Sequence, residues 1–384
     1  MQSGPSTKRP ELRFTELDSL RGLAALTVVL YHFRMMWFSN GSPPRWLKLA
    51  NPITAGHEAV MLFFLLSGFV LSIPYLRGKG QPYPVYVLRR ILRIYAPYLF
   101  ALALAVAGAA IWHGSLGFSS WADGTWLHPV NARLVLAHVL MIGNYDWSQY
   151  NTAFWSLVVE MRVSIVFPFL FLFVHRLSTR TALLTVAAVT VAGALAMSKW
   201  PGPGAWFATI AYAAVFMWGI LFATNLERVN AWYRGLGGAG RTLLALAAFI
   251  LYTWRHLAIL LHLNAGFDQC LIALGAAGYM ILALNAPKVR AVLNAMPARF
   301  LGRISYSLYL VHSTVLFALA HSLGRQIDIL DQFLIYLPAS LLLAYLFCIG
   351  IEEPFLRMSR RVGKNAGIGR TTFQAGIMPA GPVA

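Results

Sequence analysis

Acidic residues are scarce in this 384-residue sequence, and charged residues of either sign are few. Aspartate and glutamate together number 13, all charged residues make up 11% of the chain, and hydrophobic residues make up 58%. A soluble protein of this length needs a largely polar surface, because its exterior faces water. The composition excludes an ordinary soluble globular protein and indicates that most of the chain lies in lipid.

Cysteine is nearly absent too, and two common sequence signatures are missing altogether. Cys270 and Cys348 both fall inside apolar segments, so they predict small core residues rather than a disulfide framework or a metal site. The chain has no GxSxG motif, so a nucleophilic serine is unsupported. It shows no convincing internal repeat, which removes support for the inverted-repeat transporter architectures.

The 31 lysine and arginine residues give a formal net charge of +18, yet their distribution argues against nucleic-acid binding. They form short clusters between hydrophobic runs, which is the pattern that the positive-inside rule produces in membrane proteins. Residues 1–13 are polar and basic and lack the apolar core and cleavage site of a signal peptide. We therefore expect the first apolar helix to be retained.

Ten hydrophobic segments approach the length of about 20 residues that a bilayer-crossing helix needs. They lie near residues 17–37, 57–76, 91–112, 153–175, 181–198, 205–224, 242–262, 266–286, 304–322 and 332–353. The apolar stretch 134–143 is about half as long, so we expect it to be re-entrant or interfacial. Ten crossings with both termini in the cytoplasm place most basic residues on the inner side, whereas an eleventh would invert every later loop.

The predicted fold is therefore an all-α polytopic membrane protein, with about ten transmembrane helices in one bundle and no separate soluble domain. Its expected parts are a polar cytoplasmic N-terminus (1–16), a transmembrane domain (17–356) and a basic, disordered cytoplasmic tail (357–384). The expected location is the cell (inner) membrane.

The first predicted span carries Arg21 near its start and His32 near its end, in the stretch LDSLRGLAALTVVLYHF. Eleven residues of helix are about three turns and roughly 16 Å of rise, so both side chains lie on much the same side. Ionisable groups are costly in lipid, and each indicates a functional site. His32 is a candidate general base, because a neutral imidazole accepts a hydroxyl proton near pH 7. A structural, hydrogen-bonded histidine is the alternative.

The fourth predicted span carries Glu160 and Arg162 inside an otherwise apolar run. A buried carboxylate needs a partner, and Arg162 points to a different face of the helix. His32 is the predicted partner, since a carboxylate would fix the imidazole tautomer and stabilise the imidazolium, as in catalytic triads. The alternative is a structural contact between Glu160 and an arginine.

Three arginines cluster at the start of the third predicted span. Arg89 and Arg93 are four residues apart and Arg90 and Arg93 three apart, so they share a helix face. Arginine forks suit phosphate recognition, and with Arg21 and Arg77 on the same membrane side they indicate an anionic ligand. Topology anchors facing lipid head groups are the alternative.

Other polar residues on the predicted spans are less specific. Ser67 and Ser72 lie on the second span, Trp155 on the fourth, and Tyr309 and His312 share a face of the ninth. We expect these five residues to support the site, although packing and hydrogen bonds between helices explain most of them.

These clusters resemble the integral-membrane acyltransferase-3 family. The matching stretches are LDSLRGLAALTVVLYHF, LFFLLSGFVLS, RRILRIYAPY, WSLVVEMRVSIVFP, LGRISYSLYLVH and EEPF at Glu352 to Phe355. They occur in the family's order and extend from Leu17 to about Arg361.

The resemblance implies a ten-helix protein that moves an acyl group, commonly acetyl, from cytoplasmic acyl-CoA to a hydroxyl. The acceptor would be a carbohydrate, a lipid-linked glycan or a small natural product. The family's essential residues fall on Arg21 and His32, its Arg-x-x-Arg motif on Arg90 and Arg93, and its fourth-span glutamate on Glu160.

A mechanism follows from the resemblance and the embedded charges. CoA phosphates are expected to dock on Arg89, Arg90 and Arg93, helped by Arg21. His32, oriented by Glu160, is expected to deprotonate the acceptor hydroxyl, which attacks the thioester carbonyl. A covalent acyl-histidine intermediate is left open.

Acyl-CoA, commonly acetyl-CoA, is the expected co-substrate, and no permanently bound cofactor or metal is expected. The other expected partners are the hydroxylated acceptor and membrane lipid, with no nucleic acid. Two other classes of protein remain open, a proton-coupled transporter or flippase and a non-catalytic membrane scaffold.

Overall fold

The computed structural model describes residues 14–38, 51–199, 206–260, 268–324 and 326–365, and these ranges contain helices and no β-strand. The helices, numbered along the chain, are α1 (Thr15–Phe38), α2 (Gly56–Leu76), α3 (Tyr83–Ile111), α4 (Ala132–Leu140), α5 (Phe154–Arg176), α6 (Thr179–Lys199), α7 (Trp206–Thr224), α8 (Leu226–Gly235), α9 (Gly238–Tyr252), α10 (Trp254–Leu260), α11 (Asp268–Asn285), α12 (Pro287–Leu293), α13 (Met296–Leu323), α14 (Ile329–Phe347) and α15 (Glu353–Asn365). The all-α prediction is confirmed.

Every predicted span coincides with helix in the described ranges, but the count of ten is not confirmed. Among the described residues, seven helices are long and apolar enough to cross a membrane, and α7 with α8, bent by 68°, forms an eighth candidate. Helix α1 is not among them, and α9 is a shorter apolar helix. The protein is thus a multi-pass membrane protein. Residues 205, 261–262 and 266–267 of the predicted spans lie outside the described residues.

Helices α1 and α13 cross where two glycines face each other. A Cβ atom on Gly22 would lie 2.3 Å from the backbone N of Gly302, so only glycine permits this close approach. His32 and His312 also meet, and each follows its glycine by ten residues. The two helices therefore run parallel and in register over about 15 Å.

Two π-helical segments interrupt the α-helical hydrogen bonding, one inside α3 and one between α14 and α15. They are Ile91–Tyr95 and Cys348–Glu352, and they carry Arg93 and Glu352. Such segments widen the helix by one residue per turn and are frequent at functional sites. Both charged side chains line the same cavity.

The long connection between α3 and α5 folds back into the bundle. Its helix α4 has nine residues, too few to cross a bilayer, and the Tyr98 hydroxyl of α3 donates to the His138 carbonyl at 3.1 Å. Asn151 then donates to the Leu310 carbonyl of α13 at 3.0 Å. The predicted short element is thus a helix packed on α3, and the chain after it delivers the start of α5 to α13.

The predicted boundary at residue 356 falls inside a helix. Helix α15 continues to Asn365, so the prediction of a disordered tail is wrong for residues 357–365. The buried Ser359 hydroxyl donates to the Arg89 carbonyl at 3.3 Å, which ties α15 to α3. The predicted polar segment 1–13 and residues 366–384 lie outside the described residues.

Candidate active site

A cavity of about 1390 Å³ opens at one end of the bundle, where α1, α3, α13 and α15 bring their basic residues. We call it the basic cavity. Among the described residues that line it are ten lysines and arginines, namely Arg21, Arg77, Lys79, Arg89, Arg90, Arg93, Arg299, Arg303, Arg357 and Arg360. Four carboxylates also line it, namely Asp18, Glu160, Glu352 and Glu353. On α13 the lining runs from Met296 to Tyr309, a depth of about 20 Å.

The mouth of the basic cavity is strongly positive. Arg299, Arg357 and Arg360 are exposed there. Arg303 is held by Glu353, whose Oε1 accepts from Arg303 Nε at 2.9 Å and Nη2 at 2.7 Å. Sequence reasoning missed these arginines as site residues. The spacing of Arg357 and Arg360, three residues apart, is the same signal that drew attention to Arg90 and Arg93.

All four arginines predicted for the donor site line the basic cavity. Arg21 Nη1 contacts Asp18 Oδ1 at 3.3 Å, and Arg89 is half-buried. Arg93 projects from its π-helical segment and is exposed to the cavity, near the Glu352 carboxylate. The structure thus brings the predicted group together, on a surface suited to a polyanion.

Glu160 pairs with Arg90 rather than with His32. Its Oε1 lies 3.7 Å from Arg90 Nη2 and accepts a hydrogen bond from Ser67 Oγ at 3.1 Å. Arg90 is only 8% exposed and also donates to Ser164 Oγ at 3.3 Å. The predicted Glu160–His32 pair is wrong, and the alternative, a contact between Glu160 and an arginine, is present.

Depth in the bundle explains this correction. Thr152, just before α5, contacts His32, whereas Glu160 follows eight residues later. Helix α5 begins at Phe154, and the six residues from there to Glu160 span about 9 Å, so Glu160 lies nearly two turns nearer the mouth of the basic cavity.

His32 and His312 form a hydrogen-bonded unit, which we call the histidine pair. Nδ1 of His32 lies 2.8 Å from Nε2 of His312, and Nδ1 of His312 lies 2.9 Å from the Leu308 carbonyl. A carbonyl only accepts, so His312 carries its proton on Nδ1 and accepts at Nε2. His32 then donates from Nδ1, and this network assigns a free lone pair to His32 Nε2.

Two hydroxyl side chains complete the surroundings of the histidine pair. Thr152 Oγ1 lies 3.3 Å from His32 Nδ1 and 2.9 Å from Ser313 Oγ, and all of these groups are buried. Sequence reasoning missed Thr152 and Ser313, since Thr152 lies in a loop and Ser313 is one of several serines on α13. The polar contacts restrain the rotation of the His32 ring.

A segment of the connection between α3 and α5 covers His32 from the side away from the basic cavity. The Trp121 ring lies 5.2 Å from the His32 ring, and His32 is only 7% exposed.

Asp123 Oδ1 accepts from the backbone N–H groups of Leu116 and Gly117, at 2.8 and 3.1 Å. Burial raises the pKa of the Asp123 carboxyl, but these hydrogen bonds outweigh burial and hold its pKa below the ordinary value.

The basic cavity ends one layer of side chains short of the histidine pair. Tyr309 and Ser156 line its inner end, where the two hydroxyl oxygens are 2.6 Å apart. The Tyr309 ring lies 6.0 Å from the His312 ring, and His312 is in turn hydrogen-bonded to His32. The site therefore has two adjoining parts, a basic cavity and a buried histidine pair.

The remaining predicted supporting residues separate into two groups. Ser67 lines the basic cavity and binds Glu160. Ser72 donates to the Gly68 carbonyl of its own helix at 2.7 Å, and Trp155 packs on Tyr212. The structure therefore places Ser67 in the site and gives Ser72 and Trp155 packing roles.

Within the described ranges, no group of three or more His, Cys, Asp or Glu side chains has the geometry to hold a metal ion.

Comparison with known proteins assigns this architecture to a family. A family model described as an acyltransferase domain matches residues 14–349. The chain is 22% identical over 380 residues to O-acetyltransferase PaAT-1 of Phomopsis amygdali, covering 84% of this chain and 76% of that protein. It is 26% identical to acyltransferase MdmB of Streptomyces mycarofaciens, covering 79% of each.

A third relative is named as a nodulation protein. The chain is 25% identical to nodulation protein 10 of Rhizobium leguminosarum bv. viciae, covering 82% of this chain and 86% of that protein. No solved structure matches. The family match covers most of the membrane bundle, including both histidines and the lining of the basic cavity as far as Cys348, and the chain belongs to the acyltransferase-3 family.

Proposed function

We propose that the protein is an acyl-CoA-dependent O-acyltransferase that carries an acyl group, acetyl in the first instance, to a hydroxyl acceptor. The acceptor class is a carbohydrate, a lipid-linked glycan or a small natural product. The observation that carries the proposal is a deep cavity with a basic mouth whose inner end adjoins a buried histidine pair.

The charge along the basic cavity supports a donor with phosphates at one end and a neutral arm at the other. Exposed arginines such as Arg299 and Arg357 gather at the mouth, where they would bind the phosphates of CoA. Deeper in, Glu160 compensates Arg90, so a second anion gains little by entering beyond this point. The uncharged pantetheine arm would pass Glu160 and bring the thioester to Tyr309.

His32 is the proposed general base. Its Nε2 lone pair would take the proton of the acceptor hydroxyl while the hydroxyl oxygen forms a bond to the thioester carbon. The carbon–sulfur bond then breaks, and the proton passes from His32 to the CoA thiolate. His312 holds the His32 tautomer throughout, in the place that sequence reasoning gave to Glu160.

The proposed orientation of the protein in the membrane follows from the side on which the acyl donor, acyl-CoA, is found. The basic end would face the cytoplasm, with both termini there, and the acceptor would approach His32 from the other side, past Trp121. The proposed location is the cell (inner) membrane.

Membrane vesicles that contain the full chain test the proposal. Radiolabelled acetyl-CoA is supplied, and the label that enters envelope glycans and extractable small molecules is measured. We expect His32→Ala to lower the transfer by about 10²–10³-fold, at an unchanged affinity for CoA. His175→Ala, at the end of α5 and stacked on Phe171, is the matched control and should transfer normally.

Two outcomes would contradict the proposal. One is equal transfer by His32→Ala and the unaltered protein at the same expression level. The other is movement of a glycan or small molecule across the vesicle membrane without acyl-CoA, which would favour the transporter class.

A further inference from the structure

The inner end of the basic cavity is lined by apolar side chains and two hydroxyl groups. Phe63, Phe64 and Leu157 make its walls apolar, and the hydroxyls of Tyr309 and Ser156 stand among them. Both hydroxyl-bearing residues are buried. These two hydroxyls therefore meet whatever occupies the end of the cavity.

These two hydroxyls contact each other and share one backbone acceptor. The Tyr309 hydroxyl lies 2.6 Å from Ser156 Oγ and 3.4 Å from the Ala153 carbonyl, which also accepts from Ser156 Oγ at 3.1 Å, so Tyr309 donates to one of these two oxygens. Both acceptors lie at the cavity wall, and they hold the Tyr309 hydroxyl there. An oxyanion in the cavity is a stronger acceptor and would compete for this hydrogen bond.

We propose that the Tyr309 hydroxyl is a catalytic hydrogen-bond donor to the thioester carbonyl oxygen of the acyl donor, and that Ser156 positions it. This inference rests on the proposed function, in which acyl-CoA occupies the basic cavity. In an apolar, water-poor end of the cavity, a donor aimed at the carbonyl oxygen stabilises the charge that develops there.

The step balances without any further reactant. The acceptor oxygen bonds to the carbonyl carbon, its proton moves to His32 Nε2, and the carbonyl oxygen becomes negative in the tetrahedral intermediate. The Tyr309 hydroxyl keeps its own proton and hydrogen-bonds this oxygen. When the carbon–sulfur bond breaks, the carbonyl re-forms and the thiolate takes the proton from His32.

The position of Tyr309 on α13 fits this role. It precedes His312 by three residues, so both lie on one face, with their rings 6.0 Å apart. Tyr309 would therefore donate to the carbonyl oxygen from the wall of the basic cavity, while His32 acts on the acceptor hydroxyl that approaches past Trp121. Nucleophile and oxyanion donor need to approach from different directions, and this arrangement provides them.

A purely structural role makes different predictions. In that case the Tyr309–Ser156 hydrogen bond serves only to join α13 to α5, and its loss lowers thermal stability. Tyr336→Phe is the matched control, because the buried Tyr336 hydroxyl donates from α14 to the Val29 carbonyl of α1 at 3.3 Å, away from the basic cavity.

The test measures kcat and KM for acetyl-CoA, CoA affinity and melting temperature in the full chain in vesicles. We expect Tyr309→Phe to lower kcat by about 10²–10³-fold, as for the loss of one oxyanion donor, with KM and CoA affinity within about twofold. Ser156→Ala should lower kcat less, and Tyr336→Phe should leave kcat unchanged. The carbonyl stretch of bound acetyl-CoA should move to higher frequency in Tyr309→Phe.

Three results would overturn the inference. They are a kcat for Tyr309→Phe within threefold of the unaltered protein, a loss confined to CoA affinity, and an unshifted carbonyl stretch. Failure of the proposed function is distinguishable, because the unaltered protein would then neither bind CoA nor transfer the acetyl group.

Discussion

Replacing His312 by alanine removes the acceptor that fixes the tautomer of His32. In the structure, the His32 Nδ1 proton is donated to His312 Nε2 at 2.8 Å in a buried environment. The remaining neighbour, Thr152 Oγ1, is 3.3 Å away and already bonded to Ser313, so it compensates poorly. His312→Ala therefore leaves a buried donor poorly satisfied and lets the His32 ring rotate.

The expected size of this effect follows from the energy of one buried hydrogen bond. Leaving a buried donor unsatisfied costs about 1–3 kcal/mol. If the productive His32 tautomer and orientation lose that stabilisation, kcat falls by roughly 5- to 150-fold. His32→Ala should cost more, because it removes the base itself. CoA affinity should not change, since neither histidine lines the basic cavity.

The assay is acetyl transfer in vesicles at saturating acetyl-CoA, with CoA binding measured on the same preparations. His312→Gln provides a rescue, because its amide oxygen is able to accept from His32 Nδ1 and should restore part of the lost rate. The reasoning is refuted if His312→Ala keeps kcat within twofold, or if His312→Gln is no better than His312→Ala in a folded protein.

Three further predictions concern the helix crossing and the charges of the basic cavity. Gly22→Ala places a Cβ 2.3 Å from the Gly302 backbone, so it should lower both the melting temperature and kcat. The control is Gly235→Ala, which has open space around it and should change neither quantity. Thermal unfolding and acetyl transfer are measured for both variants. Glu160→Gln removes a negative charge from the basic cavity, so calorimetry should show CoA binding tightened by about fivefold, whereas unchanged affinity would contradict the electrostatic reasoning. Replacing Arg357 and Arg360 together by alanine should weaken CoA binding and flatten its dependence on salt, and an unaltered salt titration would remove them from the donor site.

The helices were largely predictable because membrane spans have a strong compositional signal. Hydrophobic runs of about 20 residues coincide with helices along the described chain, and the short stretch 134–143 overlaps a helix of nine residues. The basic group Arg89, Arg90 and Arg93 was predictable from spacing alone, because residues three and four apart share a helix face. The end of the bundle was harder to predict, because α15 is polar and amphipathic and reads like a tail.

The partners of the buried charges were not predictable in the same way. Hydropathy shows that Glu160 needs a partner, but the choice between His32 and Arg90 depends on the depth of each residue in the bundle. One feature of the sequence does predict the partner of His32. Gly22 precedes His32 by ten residues, Gly302 precedes His312 by ten, and a glycine crossing brings equal spacings into register.

Binding of CoA to the purified full chain in lipid nanodiscs tests most directly whether the basic cavity is a donor site. Isothermal titration compares CoA with dephospho-CoA, which lacks one phosphate, and with pantetheine, which lacks them all. Because ten basic residues of the described chain line the cavity, we predict that affinity falls at each loss of phosphate and that CoA binding weakens as salt rises. Equal affinities for CoA and pantetheine, or no binding of either, would contradict the proposed donor site.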